Sequence, residues 1–449
     1  MSYPFKARPQ NAVCYAPFDE CGGASGVSNH GAEKAPLGID GGIVGRPNRS
    51  KPNEIRENEP FHREKRRALW ALSRTAASLL YPEWTPKEQV KGVATCRYAM
   101  QSKANGVDVY LSEYGDDGQK RASYSGLQTC GLVWQCPACA ARISETRRRQ
   151  LNDGLVWAKA QGHRIAMITL TARHGADDDL ESLLRVMKDA KRRFHQHRAW
   201  KSIKRDVVAV LTATEVTHGR NGWHPHFHMI VIVKTKAAYA ALSRLGDPWR
   251  GALHAEGLDG AAAAFDCQGA STAGRYVGKW GAGEELTLSG QKRGRGKGQT
   301  PLQLLEAYKA GNEKSGELWL EYVAAFYRRS QLDGLTKLVR LAGLEVISDE
   351  DAAQDQGQDD QLRDEEPTVN IDADTWRFKA RRKRTDILDA AEENGAAGVW
   401  SVIHGPGARY DIARPPPPKP GGLIEQLMAS IQRPQAGGRP PPGPQAGSG

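Results

Sequence analysis

The chain predicts an α+β fold, an antiparallel sheet with helices packed on one face, preceded by a cysteine-rich element and flanked by disordered tails. Three observations predict it. Residues 164–172, 207–217 and 223–233 are rich in β-branched and apolar residues and read as strands. The last two are joined by a short loop carrying the Asn221-Gly222 turn signal, so they form a hairpin. Helical patterns lie between and after these strands, giving a β-α-β-β-α-β order that suits an antiparallel sheet with helices across it.

Residues 1–60 are rich in Gly, Pro and Asn with little apolar periodicity, and are expected to be a disordered tail. Residues 61–160 read as a helical and cysteine-rich zinc element, with helices over 64–80 and about 140–160. Residues 161–345 hold the main sheet and a helical extension. After the first strand, Leu180, Leu183, Leu184, Met187 and Phe194 recur on one helix face, with Asp177, Asp178 and Asp179 at its start as the helix dipole favours. A second helical region, 236–256, is broken near Gly246-Asp247-Pro248, and a short strand follows over 263–267. Residues 303–345 are again helical. The run 346–368 is an acidic linker, 369–413 a small appended module, and 414–449 a Pro/Gly-rich disordered tail. The longest wholly apolar stretches fall far short of a membrane span, so a cytoplasmic protein without membrane contact is expected.

The richest chemistry is in His224-Pro225-His226-Phe227-His228, which runs directly into the apolar segment Met229 to Val233. Successive side chains of a strand point to opposite faces, so His226 and His228 stand side by side while Phe227 and Met229 face a core. Two imidazoles fixed on a rigid strand form half of a divalent-metal site. Folding the hairpin about its loop brings Glu215 roughly opposite His226 on the same face. A one-residue slip would turn Glu215 away, and His224 is then the reserve ligand. Downstream, Tyr276 and Lys279 share a face if their segment is helical, and an adjacent ammonium favours the phenolate that a tyrosine nucleophile needs.

A second set of ligands precedes the sheet. Cys136-Pro137-Ala138-Cys139 is a Cys-Pro-x-Cys knuckle, Cys130 lies six residues before it, and Cys96 completes four thiolates of the kind structural Zn²⁺ prefers. Seven cysteines and no secretory signal argue against a disulfide framework; Cys14, Cys21 and Cys267 receive no role. Charge favours a nucleic-acid partner. Residues 349–366 carry nine acids against Arg363 alone, a local −8, so the net +11 conceals about +19 elsewhere. Basic clusters at 147–149, 191–193, 292–297 and 381–384 read together as a DNA track, which disfavours a hydrolase of small molecules.

The strand ending Thr169-Leu170-Thr171, the His-hydrophobic-His strand and the Tyr276 segment, in that order, resemble the three motifs of HUH-superfamily rolling-circle replication initiators of bacterial plasmids. The resemblance spans roughly residues 90–345, and the Trp134-x-Cys-Pro-x-Cys element also resembles these initiators. It implies an enzyme that nicks and rejoins one DNA strand. His226, His228 and Glu215 would hold Mg²⁺ or Mn²⁺ on the scissile phosphate, and Tyr276 would form a 5′-phosphotyrosine and free a 3′-hydroxyl. Its partners would be a replication origin, its single-stranded nick site, and host helicase and polymerase. Trp280 stands where two-tyrosine initiators carry a second tyrosine, which implies the single-tyrosine mode; Thr272 stands where some relatives carry a glutamate. Two other readings compete: a relaxase or single-strand transposase of the same chemistry, and a non-catalytic zinc-dependent DNA-binding regulator.

Overall fold

The computed structural model describes residues 59–83, 85–114, 119–269, 298–354 and 366–405. The Tyr276 segment, the expected N-terminal tail apart from Glu59 and Pro60, the whole expected C-terminal tail and the centre of the acidic run lie outside these residues. In chain order the elements are α1 (Glu59–Leu80), β1 (Val107–Tyr114), β2 (Gln119–Ser125), α2 (Pro137–Ala160), β3 (Arg164–Thr171), α3 (Leu180–Gln196), α4 (Arg198–Ile203), β4 (Val207–Gly219), β5 (Gly222–Val233), α5 (Lys236–Leu242), α6 (Gly246–Ala255), β6 (Phe265–Gly269), α7 (Pro301–Lys309), α8 (Glu313–Phe326), β7 (Leu332–Asp333), α9 (Leu335–Leu341), α10 (Asp349–Gln354), β8 (Val369–Ile371) and α11 (Arg384–His404). No helix among the described residues is long and apolar enough to cross a membrane.

The expected antiparallel sheet is present, with strand order β6-β3-β5-β4-β7. Helices cover one face as predicted. Ile168, Leu170, Phe227, Met229 and Val231 pack there against Leu183, Met187 and Phe194 of α3 and Trp249 and Leu253 of α6. Each such side chain contributes roughly 1.5–3 kcal/mol on full burial. Helix α3 starts where the acids predicted, because the Asp179 carboxylate accepts a hydrogen bond from the Ser182 N–H at 2.9 Å.

The structure adds cover on the opposite face. There Ile165, Met167, Leu211, Ile230 and Ile232 are sealed by Leu151 and Leu155 of α2 and by Leu335 and Leu338 of α9. The cause is legible in the strands: β3 and the second half of β5 are apolar at consecutive positions, so both faces need burial. Helix α2 fits closely against α9, since a Cβ on Gly154 would lie 2.7 Å from the Leu338 side chain.

Sequence reading missed a second sheet, order β2-β1-β8. Val107, Val109, Tyr124, Val369 and Ile371 form its core with Trp376, Ile387, Leu388 and Val399. The segment expected as a small appended module over 369–413 is, across its described part, built into this body: β8 pairs with β1 through Val107↔Ile371 and Val109↔Val369. Helix α1 is clamped to α11 by buried ion pairs. Arg66 donates to Glu392 at 2.7 Å and also pairs with Asp389, Arg63 reaches Glu392 at 2.8 Å, and Arg67 Nε reaches Asp389 at 2.7 Å. Glu392 additionally accepts from the Ala122 N–H of β2 at 3.0 Å.

Removing one member of a buried ion network leaves its partners' charge uncompensated. Arg66→Ala should therefore lower the free energy of unfolding by about 3–5 kcal/mol in urea denaturation. A loss within the range of an exposed pair, under about 1 kcal/mol, would show that α1 is held by other contacts.

Candidate metal centres

The β4–β5 hairpin closes on Gly219 and Gly222 around Arg220-Asn221. Gly222 takes φ +79, and a Cβ there would lie 2.8 Å from the Gly175 carbonyl oxygen. A glycine is required on both counts. From this turn the pairing runs without slip through His224↔Thr217, His226↔Glu215 and His228↔Ala213 to Ile230↔Leu211. The predicted register is the one observed.

On the face sealed by α2 and α9, the β3–β5 pairs read Ile165↔Ile232, Met167↔Ile230, Thr169↔His228 and Thr171↔His226. The row is apolar beneath the helices and turns polar where their contacts end. There His226 Nε2 lies 3.2 Å and His228 Nε2 3.3 Å from the same oxygen, Glu215 Oε2. The three ligand atoms fall within 4.8 Å of one another. Glu215 is 40 % exposed while the imidazoles are 17 % and 13 % exposed, so the group opens to solvent on the carboxylate side. Two imidazoles and a carboxylate are a donor set that a hard divalent cation accepts while leaving positions free.

Burial acts to raise the Glu215 pKa, but the hydrogen bonds from His226 and His228 outweigh it and hold the carboxyl well below the usual carboxylate range. The group is ionised at neutral pH. A depressed carboxyl stabilises the fold above its unfolded pKa of about 4.3 and loses that contribution as the pH falls toward its folded value.

Two neighbours were not foreseen as part of this site. Thr169 Oγ1 lies 3.2 Å from His228 Nδ1, a contact that fixes the ring with Nε2 facing Glu215. The strand alternation that put His226 and His228 on one face could have identified it. His174, in the loop after β3, places Nε2 2.8 Å from His224 Nδ1 and Nδ1 2.9 Å from the Asn221 carbonyl oxygen. His224, the reserve ligand, therefore faces His174 while Glu215 faces the other two rings. His224 is held below the ordinary histidine pKa by burial and by its two imidazole neighbours. Nothing in the local sequence marks His174.

Tyr276 and Lys279 lie outside the described residues. The chain leaves β6 at Gly269 and is described again from Gly298; the next residue, Gln299, bridges to His218 at the turn end of the hairpin.

The four predicted cysteines converge. Cys96 Sγ lies 3.4 Å from Cys139 Sγ, Cys130 Sγ 3.6 Å from Cys139 Sγ, and Cys136 Sγ 3.8 Å from Cys96 Sγ. Sulfurs bound tetrahedrally at about 2.3 Å from one ion are about 3.8 Å apart, so the set fits a closed thiolate cage and is too wide for a disulfide. Hydrogen bonds from the other three thiols drive Cys139 toward the thiolate. Cys136 caps helix α2 and Pro137 opens it, so the knuckle and the first helical turn are one structure. Cys267 stands apart on β6, its thiol pushed up to about 11 by burial and by Asp266.

Residues 126–241, which include three of these four cysteines and both strands of the histidine site, match the family model described as Replication protein. The chain is 34 % identical over 138 residues to "Protein rep" of Streptomyces lividans, covering 24 % of this chain and 30 % of that protein. It is 30 % identical over 135 residues to a protein named "Neomycin resistance protein" of Streptomyces cyanogenus, covering 24 % and 31 % respectively. The similarity thus spans under a third of either relative. No solved structure matches the chain. The resemblance to replication initiators drawn from the motifs is borne out over this segment.

The electrostatic account of Glu215 can be checked without any metal. In a His226→Ala/His228→Ala variant the two hydrogen bonds that hold the carboxyl down are gone, so its pKa should rise above that of the wild type. Carbon-13 NMR of the metal-free protein reads this directly. A Glu215 pKa unchanged from the wild type would show that the two imidazoles do not hold the charge.

Proposed function

We propose that this chain initiates plasmid replication by nicking, and later rejoining, one strand of DNA at an origin. The observation that carries the reading is the convergence of Glu215, His226 and His228 on a rigid hairpin inside the segment that matches replication proteins. The basic excess and the order of the three motifs support it.

In this reading His226, His228 and Glu215 hold Mg²⁺ or Mn²⁺, and Thr169 keeps His228 in its ligating orientation. The ion, when bound, neutralises charge that develops on the scissile phosphate. Tyr276 supplies the phenolate oxygen that attacks phosphorus, with Lys279 favouring the ionised phenol. A Tyr276 O–P bond forms and the P–O3′ bond breaks. The DNA 3′-oxygen leaves and takes up a proton, while the 5′-phosphate remains on Tyr276. Attack by a 3′-hydroxyl on that phosphotyrosine reverses the step and reseals the strand with no nucleotide consumed.

The four cysteines are assigned to a structural Zn²⁺. A closed thiolate shell leaves no position for substrate, so this metal contributes to folding and not to chemistry.

Two outcomes follow. With supercoiled DNA carrying the gene's own flanking region and Mn²⁺, wild type should yield a nicked circle covalently linked to protein. Tyr276→Phe should abolish the adduct while leaving DNA binding intact. His226→Ala and His228→Ala should each reduce nicking about 100-fold or more, as removal of a preorganised electrostatic contact does, and EDTA should stop the wild type. Adduct formation by Tyr276→Phe would move the nucleophile elsewhere, Tyr239 first, and full activity without both histidines would end the metal reading.

The second outcome concerns zinc. Elemental analysis should find about one tightly held zinc per chain, lost in Cys136→Ser or Cys139→Ser together with thermal stability. Nicking of a short single-stranded oligonucleotide should suffer much less, because the five-stranded sheet builds its own core. Zinc-free wild-type protein with unaltered melting in both variants would show the thiols to be incidental.

A further inference from the structure

A cluster of cations in the three-stranded-sheet body has no carboxylate partner among the described residues. Arg74 of α1, Arg381 and Arg384 surround the Tyr98 ring, their guanidinium carbons 4.8, 5.0 and 5.3 Å from its centroid. Arg384 also lies 5.2 Å from the Trp70 centroid. Stacking on aromatic faces holds the guanidinium planes but does not neutralise them. The acids next in sequence are already committed, Asp386 to Arg67 and Asp389 to Arg66 and Arg67. Among the described residues no carboxylate pairs with Arg74, Arg381 or Arg384, and the Nε atoms of Arg381 and Arg384 are buried without a hydrogen-bond partner. Burial and the charge of Arg74 both push the Arg384 pKa down.

The segment that carries Arg381 adds further cations at the surface. Residues Trp376–Ala380 wind as a π-helix and Arg381–Lys383 as a 3₁₀ turn, with Trp376 buried as the anchor. Its indole N–H donates to the Tyr98 carbonyl oxygen at 3.0 Å, tying this segment to the ring that the arginines surround. Arg377, Lys379 and Arg382 are exposed around it. Arg74 is exposed and donates one N–H to the Ala94 carbonyl oxygen, and Arg384 donates one to that of Arg381. The remaining donors of the three crowded forks are arranged for an anion from outside, since a planar fork suits phosphate oxygens.

We propose that Arg74, Arg381 and Arg384 around Tyr98 form a phosphate-binding surface for the backbone of duplex DNA. It is carried by the β2-β1-β8 body and not by the strands of the histidine site. This rests on the reading of the chain as a DNA-acting initiator, and adds a second anchor that holds duplex while the hairpin end of the other sheet acts on one strand.

The test uses the full chain and a generic duplex fragment, with affinity measured from low to high salt. Arg74→Gln/Arg381→Gln/Arg384→Gln should reduce the slope of log affinity against log salt by about 2 to 3, near 0.9 per lost phosphate contact, with affinity at physiological salt falling roughly tenfold or more. Its melting temperature should be equal to or above that of the wild type, since mutual repulsion is removed. A slope equal to that of the wild type overturns the proposal. If the triple variant fails to fold, Arg381→Gln/Arg382→Gln, which spares the more buried Arg384, should lower the slope by about 1 to 2; no decline there overturns it equally. Nicking of a single-stranded oligonucleotide separates the two readings. A wild type that shows the arginine-dependent slope but never nicks refutes the nicking reading alone. A wild type that nicks but whose slope ignores these arginines refutes this one alone.

Discussion

Everything at the histidine site depends on the register of one hairpin. Side chains alternate with a period of two, so shifting β4 by one residue against β5 would present Thr214 or Val216 where Glu215 now meets His226. Two features hold the frame. At the turn, Gly222 occupies a conformation and a space closed to any other residue. At the far end, the one irregularity in the ladder, between Val207 and Ala209, is confined to the start of β4 and absorbed before Leu211↔Ile230. The stretch that carries ligands is uninterrupted.

The same periodicity explains why a polar site can sit at the edge of so apolar a sheet. Both faces of β3 and β5 are buried over half their length, which removes the alternation usual in an antiparallel sheet. Toward the turn the α2/α9 face changes from Ile230 and Met167 to His228 and Thr169, while the α3/α6 face continues with Phe227. A rigid, dry core therefore continues behind the imidazoles, which restricts their movement and leaves their ring nitrogens facing outward. Helix α2 extends this rigidity to the cysteine cage. Cys139 lies in its first turn and Leu151 and Leu155 on the sheet, so one 24-residue helix joins both candidate metal centres.

Local patterns made the site legible and left half of the architecture hidden. His-x-His before an apolar run, and an Asn-Gly turn between two β-rich segments, specify a hairpin and a face by short-range rules alone. The second sheet is different. Residues 119–125 read Gln-Lys-Arg-Ala-Ser-Tyr-Ser, with almost no apolar alternation, and β8 is only three residues long. Its pairing of Val107 with Ile371 joins positions that no local window can connect. His174 was invisible for the same reason, since its partner His224 is fixed by tertiary placement of a loop. The Cys-Pro-x-Cys pair announced itself, whereas Cys96 depends on a chain reversal through β1 and β2 that the sequence did not display.

Charge is the last point at which local and tertiary structure diverge. Counted along the chain, 381–384 is one more basic run among several. In the fold, α1 and α11 sort their charges into two groups. Arg63, Arg66 and Arg67 meet Asp386, Asp389 and Glu392 and are neutralised within the protein. One turn or two further along α1, Arg74 meets Arg381 and Arg384 with only aromatic rings between them. The first group exchanges solvation for paired contacts and fixes the fold; the second crowds three cations around aromatic rings with no carboxylate partner among the described residues. Cations arranged in the second way are stabilised by an external polyanion, so this part of the chain's positive charge sits where no carboxylate of the described residues balances it.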